Sequence, residues 1–383
     1  IIGGAGHIGF PLGLFLASKK NQVYLYDKNK KNCSIINNGG SPHHEKNVKK
    51  YIYNYKKNYK AGYDKRRITE SNIIIICLGT PVNKDSSPKI KQFLNVIKSI
   101  KNLIRLNQFV IIRSSVYPGT IQKIKKILES KTTNIAYCPE RILQSSSLVE
   151  LPNLTQIISG MNKTSIQLAN KFFKKNITKK IINTSVIEAE LIKLFSNALR
   201  YIQFATSNEF YMICKSMNIS FESIRKKMML GYDRNKNLSK AGFAAGPCLV
   251  KDTMQVNSLM NGNFSLGKSA LKINQNLPKF IINSLEKMHD LKKKKIGILG
   301  MAFKSEVDDI RDSLSINLIK ILKDKKITFL KSDEYYSDKE TISKEQLVKK
   351  SDLIIVAVPH ENYKNLRISK NKIVVDTWQI VRK

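Results

Sequence analysis

Continuous apolar runs recur along this chain, and each stops at Gly, Pro or a polar residue. The two longest cover residues 73–78 (IIIICL) and 353–358 (LIIVAV). Runs this short, without polar alternation, suit strands covered on both faces, as in a parallel sheet flanked by helices. Further strands are expected at the short, largely apolar stretches 23–26, 109–112, 135–138 and 156–159, and again at 296–299, 327–330 and 373–376. Helical patterns over 10–18, 120–128 and 314–323 lie between them, and such alternation predicts parallel, doubly wound sheets. Residues 1–3 read as the end of a strand already under way, so the natural chain is expected to begin earlier. No run approaches the ~20 residues that span a bilayer, so no membrane partner is expected.

The rhythm breaks after residue 180. Ala189, Ile192, Lys193, Ser196, Asn197, Arg200, Tyr201 and Phe204 recur at helical spacing, with no Gly or Pro for over thirty residues. That predicts one long helix over 186–217, with a second helical stretch near 221–230. From Lys292 the βα rhythm restarts, and Ser351-Asp352 before one strand echoes Ser71-Asn72 before another. The expected architecture is α/β: two Rossmann-like doubly wound domains, 1–180 and 286–383, joined by a central helical domain, 181–285.

Charge needs separate treatment, because the net formal charge is +38. Only 11 of the basic residues are Arg and 56 are Lys, spread along the whole chain beside abundant Asn and Ile. That pattern fits an A+T-rich coding sequence better than a nucleic-acid surface, where Arg clusters among aromatics. No specific nucleic-acid partner is expected. The five Cys (33, 77, 138, 214 and 248) show no CxxC spacing, and the five His form no HxH or HExxH pattern. These spacings argue against a disulfide framework and a metal site, and for a reducing compartment, the cytoplasm.

Four clusters could carry chemistry. Gly4-Ala5-Gly6-His7-Ile8-Gly9 is a GxGxxG loop between a strand and a helix, and Asp27 ends the next strand. Such glycines permit a tight turn and close approach of a pyrophosphate, while the acid takes the ribose hydroxyls and repels a 2′-phosphate, selecting NAD over NADP. Near the start of the last block, Lys304 and Arg311 could clamp a diphosphate, although Asp308, Asp309 and Asp312 offer them internal ion pairs instead. In the middle segment Cys248 follows Gly246-Pro247 and precedes Lys251-Asp252, where it could be a nucleophile or an inert thiol. Lys193 and Asn197 share one helix face and could stabilise an oxyanion or simply be solvated. Glu140, in Cys138-Pro139-Glu140-Arg141 at a strand end, could face a ligand or pair with Arg141.

In this order, the pieces resemble the UDP-glucose/UDP-N-acetylmannosamine dehydrogenase family of NAD-dependent nucleotide-sugar 6-dehydrogenases. The resemblance rests on GGAGHIGFPLG at 3–13, CLGTP at 77–81, RSSVYPGT at 113–120, CPERI at 138–142, EAELIKLFSNALRYIQFATSNE at 188–209, GPCLVKD at 246–252 and GMAFKSEVDDIRDS at 300–313. It implies that Cys248 holds the C6 carbon as thiohemiacetal and then thioester. Lys193, Asn197 and Asp252 would stabilise the oxyanion and position water, and Glu140 would assist hydrolysis. Gly4, Gly6, Gly9, Asp27, Thr80, Ser115, Lys251 and Arg311 would contact NAD. Phe243, Phe303 and Lys304 would contact the UDP-sugar, and Arg234 would reach a neighbouring subunit's substrate in a homodimer. The chain departs from the family in having Ala244-Ala245 where Gly-Gly is usual, Ser115 for Thr and Val250 for Pro.

Alcohol to acid is a four-electron oxidation, so a covalent sulfur adduct retains the aldehyde between two hydride transfers. A single-transfer β-hydroxy-acid dehydrogenase shares the NAD domain and long helix but needs neither Cys248 nor a third α/β block. A non-enzymatic polyanion binder would use the charge but has no need of the glycine loop with Asp27.

Overall fold

A computed structural model describes residues 1–80, 82–83 and 87–381; Pro81, the end of the CLGTP motif, lies outside them. The chain forms two compact units, Ile1–Phe195 and Ser196–Lys383.

In the first unit the strands are β1 (Val23–Tyr26), β2 (Tyr59–Gly62), β3 (Ile73–Ile76), β4 (Phe109–Ile112), β5 (Ile135–Tyr137), β6 (Gln156–Gly160) and β7 (Ile181–Asn183). The strand expected at 1–3 shrinks to one residue: Ile2 bridges in parallel to both Tyr26 and Ile76, and Gly3, at φ +79°, turns the chain away. Across the sheet the order is β2, β1, Ile2, β3, β4, β5, and then β6 and β7. Counting Ile2 as the first strand, the leading six follow the 3-2-1-4-5-6 order of a dinucleotide-binding sheet. The sheet is not wholly parallel, as its apolar runs suggested, because β6 runs antiparallel to β5. The segment between them contains one helical turn, Ser147–Glu150, and not the crossover helix a parallel neighbour requires.

Alternate residues of the strands feed two cores, which is why the runs are continuously apolar. Ile75, Ile111 and Ala136 face one side with Phe10, Leu14 and Phe173; Ile74, Ile76, Val110 and Ile112 face the other with Phe93, Ile97, Ile121 and Ile124. Burying each such side chain is worth roughly 1.5–3 kcal/mol.

The second unit carries β8 (Ile296–Leu299), β9 (Phe329–Ser332), β10 (Leu353–Val356) and β11 (Ile373–Asp376), all parallel, in the order β11-β10-β8-β9. The strand expected at 327–330 starts later. Ile327 is spent closing the preceding helix, Leu314–Asp324: its N–H donates to Leu322 O while Lys326 sits at φ +56°. The long helix is Val186–Ser216, and the stretch after it is Phe221–Met229. Two more helices follow, Pro247–Leu259 and Ser265–Glu286. The last one packs Leu277, Ile281, Ile282 and Leu285 into a core with Ile296, Ile298 and Leu318. Among the described residues no helix is long and apolar enough to cross a membrane.

Candidate functional site

The glycine loop, the loops after β1, β3, β4 and β5, and residues 300–313 after β8 leave the carboxyl ends of parallel strands, where open α/β sheets bind ligands. The Cys248 loop instead lies between helices. In the first unit the switch point lies between Ile2 and β3, and the glycine loop occupies it. A Cβ on Gly9 would stand 2.1 Å from Gly3 O, and one on Gly4 2.6 Å from Leu25 Cα, so helix Gly9–Ser18 and the strand approach too closely for side chains. A Cβ on Gly6 would meet only Gly3 O, at 3.4 Å, leaving that face of the loop to a ligand. Asp27, just after β1, accepts the Ala5 N–H at 3.1 Å on Oδ2 and the Asn29 N–H at 3.0 Å on Oδ1. The carboxylate therefore stands at the loop's mouth, as recognition of a ribose diol requires. Thr80 donates its hydroxyl to Ser115 O, joining the loops after β3 and β4, and Leu78 N–H donates to Ser114 Oγ at 2.7 Å. These residues fit a dinucleotide.

Two histidines join the loop without a sequence signal. The His7 and His43 rings lie 3.7 Å apart, His43 Nε2 is 3.0 Å from Ala5 O, and Gln144 Nε2 meets His7 Nδ1 at 3.0 Å. Their separation along the chain hid the pairing.

Glu140 is neither exposed nor paired with Arg141. It is buried against Arg113, whose Nε donates to Oε2 at 3.0 Å and whose second nitrogen joins the same oxygen; Oε1 accepts the N–H of Arg141 and of Ile142. The Arg113 guanidinium also stacks over Phe173 at 5.1 Å. Breaking such a buried pair by removing one partner costs about 3–5 kcal/mol. Lys193 lies on the long helix one turn before Asn197, half-buried.

In the second unit, Gly246 caps helix Pro247–Leu259 at φ +111°, ψ 154°, with Pro247 and Cys248 as its first two residues. Cys248 is exposed, and the unpaired N–H groups of a helix's first turn favour negative charge. One turn on, Asp252 is wholly buried and accepts from Asn197 Nδ2 at 2.6 Å on Oδ2; Lys251 Nζ stands 3.0 Å from Oδ1 as an ion pair outside hydrogen-bond geometry. Three of the expected catalytic residues, Cys248, Asp252 and Asn197, are thus joined through one helix.

Arg311 is bidentate to Asp309, with Nε 2.9 Å from Oδ1 and Nη2 2.6 Å from Oδ2. That hydrogen bonding raises its pKa first of all, and the charges of Asp309, Cys248 and Asp312 add to it. The Phe303 ring packs on Gly246, where a Cβ would lie 2.4 Å from Cδ2. Lys304 is half-buried on the same loop. Phe243 is buried in the core with Leu277 and Ile298, so its ring anchors the cysteine loop. Arg234 is exposed in the short helix Asp233–Asn235, with its guanidinium 5.7 Å over Tyr232.

The other thiols are placed for packing. Burial pushes Cys77 and Cys138 each up to about 12, and raises Cys33 as well.

Three family profiles match the chain in tandem. They are described as the UDP-glucose/GDP-mannose dehydrogenase family's NAD binding domain over residues 1–177, its central domain over 187–276 and its UDP binding domain over 297–383. The chain is 30% identical to UDP-N-acetyl-D-mannosamine dehydrogenase of Methanococcus maripaludis, across 99% of this chain and 92% of that protein. It is 24% identical to UDP-glucose 6-dehydrogenase of Rickettsia felis, across 99% of this chain and 91% of that one. Among solved structures, UDP-D-ManNAc dehydrogenase from Pyrococcus horikoshii aligns with a TM-score of 0.90 at 25% identity, over 100% of this chain and 96% of that one.

Proposed function

The chain belongs to the UDP-glucose/GDP-mannose dehydrogenase family, NAD-dependent dehydrogenases of nucleotide sugars, and from that premise we propose that it converts a UDP-sugar to its uronic acid through covalent intermediates on Cys248. The observation that carries the proposal is the exposed Cys248 at a helix N-terminus, one turn before a buried Asp252 bonded to Asn197, with the Phe303 ring packed on Gly246 at the helix start. Relatives named for UDP-N-acetyl-D-mannosamine support that sugar as substrate, ahead of other UDP-N-acetylhexosamines and UDP-glucose. Functionally the chain is read as three parts, 1–180 for NAD, 181–285 for the thiol and subunit contact, and 286–383 for UDP.

Gly4, Gly6, Gly9 and Asp27, with Thr80 and Ser115, are assigned to NAD, as are Lys251 and Arg311 of the second unit. NAD supplies the hydride acceptor for both oxidations. Sγ of Cys248 adds to the C6 carbonyl of the aldehyde, so the intermediate stays attached as a thiohemiacetal. Once that carbon is oxidised to the thioester level, water attacks it and the thiolate leaves, releasing the acid and restoring Cys248. Lys193 and Asn197 are assigned to the oxyanion and Asp252 to the water. Glu140 is assigned to hydrolysis by the resemblance alone, since both its oxygens are already bonded. Phe303 and Lys304 are assigned to the UDP-sugar, with Phe243 fixing the loop and Arg234 serving a partner subunit's site.

A homodimer is part of this reading. The long helix leaves Leu199, Phe210 and Ile213 exposed, and Met217 just past its end continues the i, i+3, i+7 spacing of the last two, an apolar stripe that a second copy would cover.

The test is a screen of the purified chain with UDP-sugars and NAD, scoring NADH and acid together. Two NADH and one uronic acid per UDP-N-acetyl-D-mannosamine are expected. One NADH per sugar, with no acid, would sink the thioester route and favour single hydride transfer. Absence of NADH with every UDP-sugar would sink the substrate class.

A further inference from the structure

A buried polar cluster at the carboxyl ends of β8, β9 and β10 takes no part in the chemistry above. His360, wholly buried, accepts the Glu306 backbone N–H on Nδ1 at 3.1 Å. With Nδ1 accepting, the ring donates from Nε2, which faces Asp333 Oδ2 at 3.2 Å. The same Asp333 oxygen accepts the N–H of Met301 at 2.6 Å and of Ala302 at 3.1 Å, while Oδ1 accepts those of Tyr335 and Tyr336. Glu306 holds a left-handed backbone, φ +59°, and its carboxylate accepts the Tyr335 hydroxyl and the Glu361 N–H. The Tyr363 ring meets the imidazole edge-on at 5.3 Å.

Both ends of segment 301–306 therefore hang on one imidazole: Met301 and Ala302 through Asp333, Glu306 directly. Between those ends lie Phe303, whose ring packs on Gly246 at the start of the Cys248 helix, and Lys304.

We propose that His360 is a positioning residue for the sugar-nucleotide site, holding segment 301–306 so that Phe303 and Lys304 are presented to the UDP-sugar and the start of the Cys248 helix is seated. The inference rests on reading residues 286–383 as the UDP-binding part. His360 touches none of the reacting groups, so its effect must reach substrate through the loop, and the cofactor loop at Gly4–Gly9 should not feel it.

His360→Phe keeps a ring and removes both polar atoms; His360→Asn keeps an acceptor close to the Nδ1 position. On the full chain, UDP affinity, KM for UDP-sugar, KM for NAD and the alkylation rate of Cys248 by iodoacetamide are to be measured, with the thermal midpoint as folding control. For His360→Phe the UDP Kd and UDP-sugar KM should each rise about tenfold or more and alkylation of Cys248 should change, while KM for NAD, whose main loop is Gly4–Gly9, should rise less than the UDP-sugar KM. His360→Asn should recover part of the UDP-sugar KM. A purely structural role would lower the thermal midpoint and leave UDP Kd, UDP-sugar KM and alkylation at wild-type values, and that result overturns the proposal. If His360→Phe does not fold, Tyr335→Phe, which removes only the hydroxyl on Glu306, carries the same test: a raised UDP-sugar KM supports the proposal, unchanged values overturn it. A wild type that binds no UDP overturns both readings, whereas a UDP-binding wild type with unaltered variants overturns only this one.

Discussion

Asp252 shows how much one buried side chain can be asked to do. It is wholly enclosed, its Oδ2 depends on Asn197 and its Oδ1 on the Lys251 ammonium. Replacing Asn197 by Leu removes the donor and strands the carboxylate, which should destabilise the protein by about 1–3 kcal/mol, measurable as a lower urea midpoint. Activity should fall further than stability explains, because the same amide is assigned to the oxyanion. Cys248→Ala should behave oppositely: the thiol is exposed, so the thermal midpoint and NAD affinity should stay near wild type while acid formation disappears. Acid formation by Cys248→Ala at the wild-type rate would refute the covalent route. The local motif Gly-Pro-Cys with Lys-Asp close behind exposed this cluster in the sequence. The packing of Phe303 on Gly246 was not legible, because the two are 57 residues apart and only the folded loop brings the ring to the helix start.

At the scale of elements, two helix starts invite measurement. The Cys248 helix begins at Gly246, whose φ of +111° with ψ 154° belongs to a region that only glycine occupies readily. Gly246→Ala should cost about 1–3 kcal/mol in backbone strain alone, and the Phe303 ring, 2.4 Å from the new Cβ, adds to it. Normal stability together with normal kinetics in this variant would contradict the seating of the helix by Phe303. The long helix begins with a reciprocal cap: Ser185 N–H and hydroxyl donate to the Glu188 carboxylate, and Glu188 N–H donates to Ser185 Oγ at 3.3 Å. Those bonds, with that from the Thr184 hydroxyl first among them, hold Glu188 down to about 2. A depressed acid stabilises the fold above its unfolded value, about 4.3, and loses that contribution as pH falls toward 2. The urea midpoint should therefore drop between pH 4 and pH 2 less steeply in Glu188→Gln than in wild type. Equal slopes would dismiss the cap. Periodicity made this helix plain beforehand, whereas it misplaced the strand near 327, because apolar Ile327 looks like a strand residue and is spent closing a helix instead.

The whole molecule is tested by its assembly. Ile213, on the long helix, and Met217, just past its end, are 52% and 64% exposed. Ile213→Asp combined with Met217→Asp should shift sedimentation from a dimer toward a monomer; a wild type that sediments as a monomer would remove the dimer from the proposal. What the sequence determined alone was everything set by short-range periodicity and by residue type at fixed spacing: the continuous strands, the long helix, the glycine loop with its acid, and the order of the blocks. Those features follow from backbone geometry, which repeats every two or 3.6 residues and so leaves its mark locally. Tertiary structure alone decided the antiparallel turn of β6, the burial of Glu140 on Arg113, the stacking of His7 on His43 and the suspension of a whole loop from His360. Each joins residues far apart in the chain, and no local period records a pairing that exists only once the sheets have brought their loops to one edge.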